Sequence, residues 1–216
     1  MGYNAFVCYV LTFVSFPITL LSLSVINILF TLPMLIKMVK TKQIQKYKFD
    51  KISSCFILII LMVTVLVSIA NFGFPFKIKY ETGDPATHYL TSVIFAGQDR
   101  LDNLNEDEVY MHFKGRKIAS YVNSGIIMKC FSDVMDEIEY YKIFIVFGIF
   151  ILFITGSVMY NTLEKFTKNA HGKILALIIS IIYVLGYPLN SFLFGFEYLS
   201  LGILVIRNID SFYLLF

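Results

Sequence analysis

The stretch Ile52-Ser53-Ser54-Cys55-Phe56-Ile57-Leu58-Ile59-Ile60-Leu61-Met62-Val63-Thr64-Val65-Leu66-Val67-Ser68-Ile69-Ala70-Asn71-Phe72 runs for 21 residues without a charged side chain. Wound as an α-helix it is about 30 Å long, the thickness of a bilayer's hydrocarbon core. The same pattern recurs along the chain. The first charged residue is Lys37, so residues 10–36 read as an earlier span, with Pro17 and Pro33 near its ends. No basic stretch precedes it, which makes it an uncleaved span rather than a secretory signal. Residues 143–163 read as a third span, with Tyr140, Tyr141 and Tyr160 placed to sit at the interfaces. Residues 174–196 form a fourth, broken late by Gly186 and Pro188. Residues 198–216 are apolar but carry Arg207 and Asp210, and read as a fifth span or the start of one.

Composition points the same way. The chain is 57% apolar and 15% charged, with a mean hydropathy of +0.74. Soluble domains are nearer 45–50% apolar and about 25% charged. This excludes a soluble enzyme, a nucleic-acid-binding domain and a disordered tail. Cys8 and Cys55 lie in apolar stretches, so the three cysteines predict no disulfide framework.

Orientation follows the lysines in the short connectors. Residues 37–51 hold Lys37, Lys40, Lys42, Lys46, Lys48 and Lys51 against Asp50 alone. The connector after residue 163 holds Lys165, Lys168 and Lys173 against Glu164. Both read as cytoplasmic, which places the N-terminus and residues 73–142 outside the plasma membrane. The topological bias accounts for the lysines by itself. Polybasic stretches beside spans also bind anionic lipid or phosphorylated partners.

Residues 73–142 carry eleven of the fifteen acidic residues. Three helices are expected there. One starts at Asp84, a good N-cap followed by Pro85 at a favoured first position, and stops at Gly97. Its apolar residues Tyr89, Leu90, Val93 and Ile94 form a stripe expected to rest on the bilayer or the spans, with His88 and Thr91 turned away. A second is expected from Asn105, with Glu106, Asp107 and Glu108 in its first turn, to Ser124-Gly125. A third is expected over 131–141, where Phe131, Val134, Met135, Ile138 and Tyr141 share a face opposite Asp133, Asp136 and Glu137.

The stretch Gly83-Asp84-Pro85-Ala86-Thr87-His88-Tyr89 resembles the start of the large outer loop of bacterial multi-pass glycosyltransferases of the GT-C class. Those enzymes carry an Asp near the start of that loop and juxtamembrane helices within it. The segment Gly186-Tyr187-Pro188-Leu189-Asn190-Ser191 to Phe194-Gly195-Phe196 resembles hydrophobic segments of polysaccharide polymerases and GT-C-like proteins. The resemblance covers roughly residues 52–206. It implies a membrane glycosyltransferase or polymerase-like protein that uses polyprenyl-phosphate sugars at the outer membrane face. The chain departs from the class in having a span before the loop-preceding one, in lacking Asp-x-Asp, and in having four or five spans where eight or more are usual. The apolar run ending at Phe216 reads as the N-terminal part of a longer protein.

Each candidate residue has two readings. Asp84 is an N-cap, or a carboxylate that takes the acceptor's proton or holds a divalent cation against a phosphate. His88, one turn on, is a surface residue, or a group that orients that carboxylate or touches phosphate. Arg100, Arg116 and Lys117 are solvated helix residues or phosphate ligands. Glu197, Arg207 and Asp210 are interfacial, or charges that face a cavity. The Gly186/Pro188 break is an outer turn, or a source of unpaired carbonyls. Gly148 and Gly156 are placed for close helix packing.

The expected fold is all-α, a multi-span bundle with a helical extracytoplasmic loop. Two spans fill residues 1–72, the loop 73–142, and two or three further spans 143–216. The partners expected are membrane lipid and a lipid-linked sugar donor, with no nucleic acid. The alternatives are a transporter or flippase fragment, or a non-catalytic membrane partner protein.

Overall fold

The computed structural model describes residues 2–40, 50–76, 84–99, 119–136, 139–167 and 169–193. Every regular element among them is a helix. In chain order these are α1 (Gly2–Phe13), α2 (Leu20–Lys40), α3 (Lys51–Phe72), α4 (Asp84–Gly97), α5 (Ala119–Cys130), α6 (Tyr140–Glu164), α7 (Ala170–Leu185) and α8 (Tyr187–Leu193). Among the described residues three segments are long and apolar enough to cross a membrane: Lys51–Phe72, Tyr140–Glu164 and Ala170–Leu193. These are the expected second, third and fourth spans. The fifth falls outside the described residues. The chain divides into two compact units, residues 1–49 with 91–137, and residues 50–90 with 138–216.

In the first unit the expected span over 10–36 is broken. α1 stops at Phe13, Ser15 takes a positive φ of 56°, and the helix restarts at Leu20. Pro17 is the cause. It lacks an N–H, its ring would clash with the carbonyl four residues earlier, and it disfavours helical geometry at Phe16. The restart is capped reciprocally: Ser22 N–H donates to Thr19 Oγ1 at 3.1 Å, and Thr19 N–H donates to Ser22 Oγ at 2.9 Å. α2 itself runs on through Pro33 to Lys40. α1 packs on α5. The core joins Val7, Cys8, Leu11, Ile18 and Leu23 to Phe95 of α4 and Val122 of α5.

In the second unit α6 is the central helix, flanked by α3, α7 and α8. α3 starts where Asp50 accepts from Ile52 N–H at 3.1 Å, and α7 where Asn169 accepts from Gly172 N–H at 2.8 Å. Three levels of packing run along α6. Near its C-terminal end Tyr160 stands edge-on to Phe56, with centroids 5.9 Å apart. In the middle Gly156 faces Ile60 of α3 and Val184 of α7. Near its start Gly148 faces the ring of Phe192 from α8, which also packs on Phe72 at 5.3 Å. Both glycines sit at close approaches, as expected.

Four buried hydroxyls between these levels bond locally. Ser68, Thr155 and Ser180 each donate to the carbonyl four residues back, at 2.7–2.8 Å, and Thr64 to the one three back at 2.8 Å. They leave apolar packing to join the helices here. The break at Gly186 is a turn between α7 and α8, with Pro188 in the first turn of α8. Gly186 N–H donates to Ile182 O and Tyr183 O, and Gly186 O accepts from Asn190 N–H. Of the two readings of this break, the turn is the one seen, and the Gly186 carbonyl is paired.

Candidate functional site

α4 is described from Asp84 onward and closes at Gly97, as the glycine signal predicts. His88 lies one turn in. It is only 2% exposed, and Thr91 and Ser92 are buried with it. Leu90, from the apolar stripe, is 45% exposed. The expectation that His88 and Thr91 turn away is thus overturned. For Thr91 and Ser92 the reason is steric: small polar side chains let another backbone come closer than leucine or valine does. Ser92 Oγ and Ser124 Oγ are 2.7 Å apart, and Gly125 lies where an added Cβ would stand 2.9 Å from Ser92 O and 2.4 Å from Phe95. The N-terminal half of α4 is tethered separately. The Tyr89 ring stands against Phe144 with centroids 5.8 Å apart and planes at 73°. Phe144 is the fifth residue of α6, so this tether is at the opposite end of that helix from Glu164.

The loop beyond α4 departs from expectation. The helix expected from 105 to 125 is described only from Ala119, and it continues through Gly125 to Cys130. The helix expected over 131–141 is replaced at 131–134 by turns. Phe131 and Val134 are exposed, and α6 begins at Tyr140. Periodicity alone does not hold a helix. Asp133 and Asp136 are exposed. Arg100, Arg116, Lys117, Glu106, Asp107, Glu108, Glu137, Glu197, Arg207 and Asp210 lie outside the described residues. Among the described residues no group of three His, Cys, Asp or Glu side chains could hold a metal ion.

Two polar groupings were not anticipated. In the first unit Lys129, 16% exposed, donates to Ile18 O at 3.0 Å and Gln98 O at 2.9 Å, and pairs with Asp99 Oδ1 at 2.6 Å. It closes the α1–α2 break over the end of α4. The available signal was a lone lysine in the run Ile126-Ile127-Met128-Lys129-Cys130-Phe131.

In the second unit the N-terminal ends of α3 and α7 meet the C-terminal end of α6 through one network. Lys173 pairs with Asp50, and with Glu164 Oε1 at 2.8 Å. Ser53 sits between them. It is 2.9 Å from Asp50 Oδ2, in hydrogen-bond contact with Glu164, and accepts from Lys173 Nζ at 3.3 Å and Tyr160 Oη at 3.4 Å. With one proton, its hydroxyl serves the two carboxylates by turns. The signal was that the two basic connectors carry one carboxylate each, Asp50 and Glu164.

The Lys173 ammonium beside Asp50 holds its carboxyl at about 2, with help from the Ser53 hydroxyl and the Ile52 amide. An unfolded aspartate titrates near 3.9. A lowered folded pKa adds stability above the unfolded value, and that stability fades as pH falls towards the folded one. From about pH 4 down to about pH 2, the melting temperature in detergent is therefore expected to fall more steeply for the wild type than for Asp50→Asn. Parallel curves over that window would refute the linkage.

Comparison with models of known families, with curated proteins and with solved structures returned no match.

Proposed function

We propose that the protein is a membrane glycosyltransferase or polymerase-like protein of GT-C type, working on lipid-linked sugars at the outer face of the plasma membrane. The observation that carries this reading is α4. It opens on the carboxylate residue Asp84 and buries His88 one turn later. Through Tyr89 on Phe144 it is tethered at the far end of α6 from the Lys173 network. With both basic connectors cytoplasmic, the tethered end is the outer one, where a polyprenyl phosphate head group lies.

In the proposed reaction the acceptor hydroxyl oxygen bonds to the anomeric carbon as that carbon's bond to the lipid phosphate oxygen breaks. Asp84 takes the acceptor's proton as general base, and the lipid phosphate departs with the bonding electrons. A divalent cation held by the Asp84 carboxylate against the phosphate is the alternative role for the same group. His88, enclosed as it is, serves as a positioning residue rather than a phosphate ligand. Arg100 and Arg116 are proposed to meet the phosphate.

The test is transfer of labelled hexose from polyprenyl phosphate by membranes carrying the protein. Label appearing in acceptor above the level of membranes lacking the protein supports the reading, and its absence across hexose donors refutes it. The topology has its own check. In a background with Cys8, Cys55 and Cys130 replaced by Ala, an impermeant thiol reagent on intact cells is expected to label Asn105→Cys and to leave Gln45→Cys unmodified. Labelling of Gln45→Cys alone would invert the orientation.

A further inference from the structure

We propose that the end of the bundle bearing the Lys173 network is a docking site for the phosphate of an anionic membrane lipid, held by Lys51 and Lys165. The argument starts from which charges cancel there. The network takes up both carboxylates of the connectors, Asp50 and Glu164, on a single lysine. Lys51 directly follows Asp50 and Lys165 directly follows Glu164, so the two flank the network. Both are exposed, and among the described residues no ion pair or hydrogen bond of their side chains is found.

Their helix positions sharpen the point. A lysine at the first residue of a helix opposes the helix dipole. Lys173, in the first turn of α7, meets the same penalty, and two carboxylates offset it. Lys51, first in α3, has no such partner, so helix stability does not account for it. Asp50 caps that terminus and is itself engaged by Lys173. What remains at this end is cationic and lies at the boundary of three membrane-length helices. That is the depth of lipid phosphates, and basic residues there attract anionic head groups. This inference uses no step of glycosyl transfer and stands or falls separately from it.

The experiment uses the full chain purified in detergent, where topology no longer constrains the lysines. The protein is equilibrated with equal amounts of phosphatidylglycerol and phosphatidylcholine, and bound lipid is counted by native mass spectrometry. Wild type is expected to retain phosphatidylglycerol several-fold over phosphatidylcholine. The double variant Lys51→Gln/Lys165→Gln is expected to bring that ratio down to near parity. Lys51→Arg/Lys165→Arg should keep it, which guards against a folding defect. Equal retention by wild type and the Gln variant would overturn the proposal. Complete displacement of the lipid by millimolar inorganic phosphate would also overturn it, since the site would then belong to a free anion.

Discussion

Membranes carrying Asp84→Asn are expected to lose hexose transfer by a hundredfold or more while the protein melts at the wild-type temperature. General-base catalysis contributes about 10²- to 10⁴-fold, and asparagine has no basic carboxylate to supply it. Asparagine also caps a helix about as well as aspartate does. The substitution therefore removes chemistry and keeps structure. Asp84→Ala is expected to add a loss of about 1 kcal/mol, because the cap goes with the carboxylate. If Asp84 instead holds a divalent cation, raising that cation's concentration should partly restore the Asn variant, whereas a lost base is indifferent to it. His88→Asn is expected to lower the rate less than Asp84→Asn, since the imidazole is enclosed in the bundle and acts through another group. Near-normal transfer by Asp84→Asn would leave Asp84 a cap and remove the chemistry from this end of α4.

The parts of the fold that were legible are those where local physics decides. The charge-free run from Ile52 to Phe72 has one solution in a bilayer, and α3 spans Lys51–Phe72. Gly97 ends α4 at the expected residue. The parts that were not legible depend on partners. Pro17 reads as a tolerable residue near a span's end until Thr19 and Ser22 are seen capping a second helix. By hydropathy the stripe Tyr89, Leu90, Val93 and Ile94 is the face of α4 set against bilayer or spans, and Tyr89 does meet Phe144; what hydropathy misses is the other face. The helix turns Thr91 and Ser92 inward, because Gly125 lets α5 come close and Ser124 offers a hydrogen bond. Hydropathy ranks side chains by transfer from water and carries no information on how near another backbone will lie. The network on Lys173 failed for the same reason. It joins residues more than a hundred positions apart, and only the register of three helices brings Asp50, Glu164 and Lys173 together.

Gly156→Leu and Gly148→Leu are expected to be the most destabilising single substitutions in the second unit. In a membrane the apolar environment of the lipid gives helices little hydrophobic reason to associate, so close packing holds them together. A Cβ on Gly156 would lie 2.7 Å from Ile60 Cγ2 and 2.8 Å from Val184 Cγ2. Both neighbours are branched, buried and on different helices, so neither yields without moving α3 or α7. Even Gly156→Ala is expected to lose about 1–3 kcal/mol to overpacking, outweighing the roughly 0.5–1 kcal/mol that alanine gains in a helix. Leucine should lose more.

At Gly148 the obstacle is different. The added Cβ would lie 2.0–2.9 Å from three atoms of the Phe192 ring, which Phe72 holds from the other side. Removing the ring relieves the clash, so the two sites should couple. Phe192→Ala alone is expected to cost about 3–5 kcal/mol, and Gly148→Ala/Phe192→Ala should cost less than the sum of the single variants. Gly97, with nothing within 4 Å of its added Cβ, supplies the control, and Gly97→Ala should be tolerated. Thermal unfolding of each variant in detergent measures all of these. Additive behaviour of Gly148→Ala and Phe192→Ala would mean that α8 does not lie against α6, and the level of packing nearest Asp84's end of the bundle would have to be redrawn.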